Sequence, residues 1–93
     1  MIHDVRLTRR AAKQLTRLPR HVVQKLLEWM DVVEVDGLEV ARRVPGYHDE
    51  PLKGQRGGER SIRLSRSYRA VYTVVSDGVV EVAWVEEVTK HDY

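Results

Sequence analysis

Residues 60–88 read RSIRLSRSYRAVYTVVSDGVVEVAWVEEV. Three runs of β-branched, aromatic and alternating residues are separated by two tight turn signals. The runs predict strands over Arg60–Ser65, Tyr68–Val75 and Val79–Val88. Ser65-Arg66-Ser67 is the first turn. Ser76-Asp77-Gly78 is the second, and its Asp-Gly pair is a strong hairpin signal. Connections this short force antiparallel pairing, because a parallel pair needs a long crossover.

The rest of the chain surrounds this sheet. Residues 2–7 (IHDVRL) alternate apolar and polar, as a half-buried strand does. Thr8 is placed to cap a helix running to about Leu18, with Ala11, Ala12, Leu15 and Leu18 on one face. Pro19 opens a second helix, since the N–H it lacks is not needed in a first turn. Val22, Val23, Leu26, Leu27, Met30 and Val33 follow at spacings of three and four, a core-facing stripe. Gly37 is its expected stop. Residues 38–44 suit a further short helical turn, which Pro45-Gly46 ends. Trp29 and Trp84 read as core. The order β-α-α-β-β-β predicts an α+β fold, with two N-terminal helices packed on one face of a twisted antiparallel sheet.

Ninety-three residues make a single domain, 1–93, with one modest core. With 42% hydrophobic and 32% charged residues the chain is expected to fold rather than remain disordered. There is no cysteine, which excludes disulfides and zinc-thiolate sites. No apolar run approaches the ~20 residues that span a bilayer, and charges from Asp4 and Arg6 onward leave no signal-peptide core. A cytoplasmic protein without a membrane partner is expected.

The formal net charge of +2 conceals segregation. Residues 1–25 carry seven basic and one acidic side chain, and residues 26–50 carry two and seven. Residues 51–72 carry six and one, and residues 73–93 carry one and five. The basic block at 51–72 is the informative one, because its charges sit on short strands and attract phosphates there. Alternation puts Ile62 and Leu64 on one face of their strand and Ser61, Arg63 and Ser65 on the other. If Ala70 and Tyr72 face the helices, Arg69 shares a side with Arg63. Two planar guanidiniums then converge on one phosphate. Arg9, Arg10, Lys13, Arg17 and Arg20 read mainly as a solvated helix surface. His3, His21 and His48 show no metal-ligand spacing, and Tyr68 and Tyr72 read as packing residues.

The element order, the Leu52-Lys53-Gly54 loop, the strands Ser61-Ile62-Arg63-Leu64 and Ser67-Tyr68-Arg69-Ala70-Val71-Tyr72, and the closing Lys90-His91-Asp92-Tyr93 resemble the RelE/ParE superfamily. These are the toxins of type II toxin–antitoxin modules. The resemblance covers nearly the whole chain. It implies a RelE- or HigB-like mRNA endonuclease acting in the ribosomal A site, with a cognate antitoxin, the 30S subunit and mRNA as partners. The alternative branch is the ParE-like inhibitors of DNA gyrase, which lack the nuclease constellation. By resemblance, Arg69 contacts the scissile phosphate, Arg63 is a basic residue of the preceding strand, and His91 is a C-terminal acid/base group. Tyr93 joins them as a catalytic candidate. Lys53, Arg56, Arg60, Arg66 and Lys90 are the RNA-binding candidates. Ser61 stands where some RelE members carry a lysine.

RNA brings its own nucleophile, the 2′-hydroxyl. Cleavage then needs a base, cations for the transition-state charge and an acid for the 5′-oxygen, and no metal or other cofactor. Among the candidates, histidine alone titrates near neutrality when unperturbed, at about 6.5.

Overall fold

The structure is a computed structural model that describes residues 1–53, 58–75 and 77–87, with the backbone alone over 80–87. The elements are β1 (Asp4–Leu7), α1 (Arg9–Leu15), α2 (Arg20–Asp36), α3 (Leu38–Arg42), a 3-10 turn at Pro45–Tyr47, β2 (Glu50–Pro51), β3 (Glu59–Arg63), β4 (Tyr68–Val74) and β5 (Val79–Glu87). They form the expected α+β arrangement around one five-stranded sheet of order β1-β5-β4-β3-β2.

The hairpins form where the turn chemistry places them. Leu64 N–H and Ser65 N–H both donate to Tyr68 O, at 2.9 and 3.2 Å, closing the β3–β4 turn. Gly78, at φ 84°, adopts the left-handed conformation that the β4–β5 turn requires. Asp77 Oδ1 accepts from Val79 N–H at 3.3 Å in the same turn. Val71 pairs with Trp84 but Tyr72 with Val82, so β5 carries a bulge there.

Two features of the sheet depart from the sequence reading. The sheet is mixed, because β1 runs parallel to β5 with Asp4 opposite Val79. The helices supply the crossover that a parallel neighbour requires, and nothing in the alternation of a four-residue strand says which edge it joins. The second departure is β2. Two residues, one of them proline, carry almost no strand propensity, yet they pair with Ser61 and Arg60 at the edge of the sheet.

The helices are bounded by their caps. Thr8 Oγ1 accepts from Ala11 N–H at 3.1 Å and starts α1. That helix stops at Leu15 rather than Leu18, four residues before Pro19, which has no N–H to give the Leu15 carbonyl and whose ring would clash with it in a continuing helix. Leu18 still packs against the core. Gly37, at φ 95°, ends α2 and begins α3. A side chain there would also meet Met1 Sδ at 2.9 Å. The buried stripe of α2 is Val22, Leu26, Trp29 and Val33. Leu27, expected in it, is half exposed. The stripe packs on Ile62, Leu64, Ala70 and Tyr72 of the sheet. The Trp29 and Tyr72 rings lie 5.1 Å apart at 44°. Among the described residues, no helix is long and apolar enough to cross a membrane.

Candidate functional site

Arg63 and Arg69 are directly opposed in the β3–β4 register. Directly opposite residues share a face and bring their Cβ atoms to about 4.5–5.5 Å. The next pair in the same ladder, Ile62 and Ala70, is fully buried against the helices. Alternation therefore turns both arginines to the far face. Two like charges so placed repel, which makes the pair a ready site for an anion.

The two arginines are not equivalent. Arg63 is exposed, with no hydrogen bond or ion pair among the described residues. Arg69 reaches diagonally over β3. Its Nη1 donates to Ser61 Oγ at 3.1 Å and to Glu50 Oε1 at 3.2 Å. Those two bonds occupy Nη1. Of the five N–H donors of a guanidinium, the other three have no partner among the described residues. Ser61 is itself buried, so Arg69 is braced at one end and open at the other.

Glu50 is the functional candidate that sequence reasoning missed. It enters the site because β2 pairs Glu50 with Ser61, which sets its carboxylate on the arginine face. The carboxylate is more than half exposed. Its neighbour Asp49 points the opposite way. The Asp49 side chain is fully buried, accepting from Arg60 Nε at Oδ1 and from Tyr72 OH, 2.6 Å away, at Oδ2. Arg42 Nε in turn donates to Tyr72 OH at 3.2 Å. Residues 49 and 50 thus point to opposite sides of the sheet edge. His48, just upstream, is exposed and held in the left-handed region at φ 45°. In a residue with a Cβ that conformation costs about 1–2 kcal/mol.

The electrostatics follow from this packing. Burial, reinforced by the hydrogen bond to Asp49, pushes the Tyr72 hydroxyl up to about 12. Burial alone would pull Arg60 down, but its bond to Asp49 outweighs that and the net shift is upward. Tyr72 therefore stays a donor across the working range. An unfolded tyrosine titrates near 10.0, so between pH 10 and 12 the unfolded chain gives up a proton that the folded chain keeps. Stability contributed by this group is present below pH 10 and is lost as pH rises through 12. Urea denaturation across that window is expected to show a loss of about 2 kcal/mol that is absent in Tyr72→Phe.

The remaining candidates are dispersed. Lys53 is exposed beyond β2, and Arg66 is exposed in the β3–β4 turn. Arg66 lies in the turn next to the Arg63–Arg69 pair, and Lys53 lies toward the opposite end of β3. Arg60 is not on that face. It pairs with Tyr72 in the ladder and lies against Asp49 on the helix side. Arg56, Lys90, His91 and Tyr93 lie outside the described residues, and so does the side chain of Trp84. β5 ends at Glu87 opposite Tyr68, one position from Arg69.

The fold is that of the RelE/ParE superfamily of toxins. A chain of the archaeal RelE–RelB complex from Pyrococcus horikoshii OT3 matches at TM-score 0.73 and 24% identity, over 98% of this chain and 100% of that one. A chain of the RelBE2 toxin–antitoxin complex from Mycobacterium tuberculosis matches at TM-score 0.68 and 22% identity, over 94% and 99%. The YoeB/ParE toxin from Agrobacterium tumefaciens matches at TM-score 0.63 and 25% identity, over 92% and 99%. No family model and no curated protein sequence matches the chain.

Proposed function

We propose that this protein is the toxin of a type II toxin–antitoxin pair and that it cuts mRNA in the A site of the translating ribosome. The observation that carries this reading is the opposed Arg63–Arg69 pair with the Glu50 carboxylate bonded to Arg69. A phosphate held by the two arginines lies beside a carboxylate able to take a proton. The toxin complexes among the structural matches support a cognate antitoxin, and a cytoplasmic site of action goes with that role.

In this mechanism Glu50 removes the proton of the 2′-hydroxyl, and the resulting oxygen attacks the adjacent phosphorus. Arg69 and Arg63 stabilise the added charge on the non-bridging oxygens. His91 protonates the departing 5′-oxygen. Tyr93 stacks on a neighbouring base, and Lys53, Arg66, Arg56 and Lys90 neutralise flanking phosphates. The products are a 2′,3′-cyclic phosphate and a 5′-hydroxyl. The face is shallow, so a ribosome that holds the mRNA in place supplies the positioning that the small domain lacks.

The test uses ribosomes programmed with an mRNA carrying a single 2′-deoxynucleotide at the mapped cut. Cleavage is expected to vanish on that substrate, and Glu50→Gln is expected to lower the rate on normal mRNA by about 10²–10⁴-fold. Cutting of the deoxy substrate would overturn the mechanism. No cutting of either substrate, with inhibition of DNA supercoiling instead, would assign the chain to the gyrase-inhibitor branch.

A further inference from the structure

We infer that the Asp49–Tyr72–Arg60–Arg42 network is a positioning clamp for Glu50, so that Tyr72 sets the rate of chemistry without touching RNA. This rests on the reading of Glu50 as the base. The backbone alone holds Glu50 weakly. β2 is two residues long, lies at the sheet edge, and contains Pro51, which has no N–H to give to the ladder. Leu52 N–H donates to Glu59 O at 2.9 Å just beyond it. On the other side the chain passes through the left-handed His48. What fixes this segment is the side chain of Asp49.

Three elements converge on that anchor. Arg42 comes from α3, Arg60 from β3 and Tyr72 from β4. Together they draw Asp49 under the sheet. In an extended segment successive side chains point to opposite faces, so seating Asp49 on the helix side directs Glu50 to the arginine side. Tyr72 is the best lever on the clamp. Its hydroxyl joins Asp49 to Arg42, and its ring is held independently against Trp29. Tyr72→Phe therefore removes the bond to Asp49 and keeps the packing. A catalytic group loses much of its effect when it is displaced by about 1 Å.

The test is a double-mutant cycle on ribosome-dependent cleavage with wild type, Tyr72→Phe, Glu50→Gln and the double variant. Tyr72→Phe is expected to lower kcat about tenfold or more with KM nearly unchanged. In the Glu50→Gln background the same change is expected to have less than about a twofold effect, because the group it positions is gone. Equal losses in both backgrounds, or no loss in the single variant, would refute the clamp. Asp49→Asn keeps the side-chain size, weakens the same bonds and is expected to show the same pattern.

A readout independent of cleavage is the Arg69 Nε–H resonance in the proton–nitrogen spectrum. It is expected to move in Glu50→Gln and to move in the same direction in Tyr72→Phe. An Arg69 signal that responds to Glu50→Gln but not to Tyr72→Phe would overturn the clamp even if the wild type proved not to cut mRNA. Intact mRNA with a responsive Arg69 signal would instead reject the nuclease reading and leave the clamp standing.

Discussion

Arg69→Ala is expected to lower the rate of mRNA cleavage by about 10²–10³-fold, the usual cost of removing one preorganised donor to developing negative charge. The fold is expected to survive. Arg69 bonds to Ser61 and to the exposed carboxylate of Glu50 at the sheet surface, and partly exposed pairs contribute no more than about 1 kcal/mol. A loss of activity with an almost unchanged melting curve therefore separates catalysis from folding. Arg69→Lys is expected to recover only a small part of the rate. An ammonium supplies charge but not the planar fork that can hold Ser61, Glu50 and a phosphate together. Single-turnover cleavage by the three proteins, each with its thermal melt, is the relevant measurement.

Asp49→Ala is expected to be the most damaging single change to the fold outside the apolar core. It removes a fully buried carboxylate and leaves the Tyr72 hydroxyl and the partly buried Arg60 guanidinium without their acceptor. Breaking a buried pair in this way costs about 3–5 kcal/mol, and the partial exposure of Arg60 puts the value near the lower end. For a domain of this size that corresponds to a fall in Tm of about 12–24 °C. Differential scanning calorimetry of Asp49→Ala beside Tyr72→Phe provides the check. The phenylalanine variant is expected to lose about 1–2 kcal/mol, since it gives up one bond and keeps its ring contact with Trp29.

The hairpins were legible because their signals are local. Asp77-Gly78 and Ser65-Arg66-Ser67 mark the turns, and alternation along β3 and β4 is enough to assign Arg63 and Arg69 to one face. The same alternation also disposed of Arg60. It shares parity with Ile62 and Leu64, which assigns it to the helix side, and the fold sets it against Asp49. Glu50 and Asp49 were not legible. In sequence they are two acids in a loop before a proline. Their roles come from partners 11 to 23 residues away, which no periodicity encodes. The parallel placement of β1 was hidden for a related reason, since a four-residue alternation carries no information about its neighbour. In α2 the spacing found the helix and most of its buried face, with Leu27 as the exception. Trp29 lies in line with Val22, Leu26 and Val33, and Leu27 lies beside that line in solvent.

The activity proposed for the Arg63–Arg69–Glu50 face is cleavage of mRNA on the ribosome. Its most direct test is primer-extension mapping of an mRNA in a purified translation reaction, run with the wild type and Arg69→Ala, and repeated without ribosomes. Discrete cuts at A-site codons, absent without ribosomes and weakened at least a hundredfold in Arg69→Ala, are the predicted result. Intact mRNA in a reaction whose translation runs normally, or cutting that Arg69→Ala performs at the wild-type rate, would contradict it.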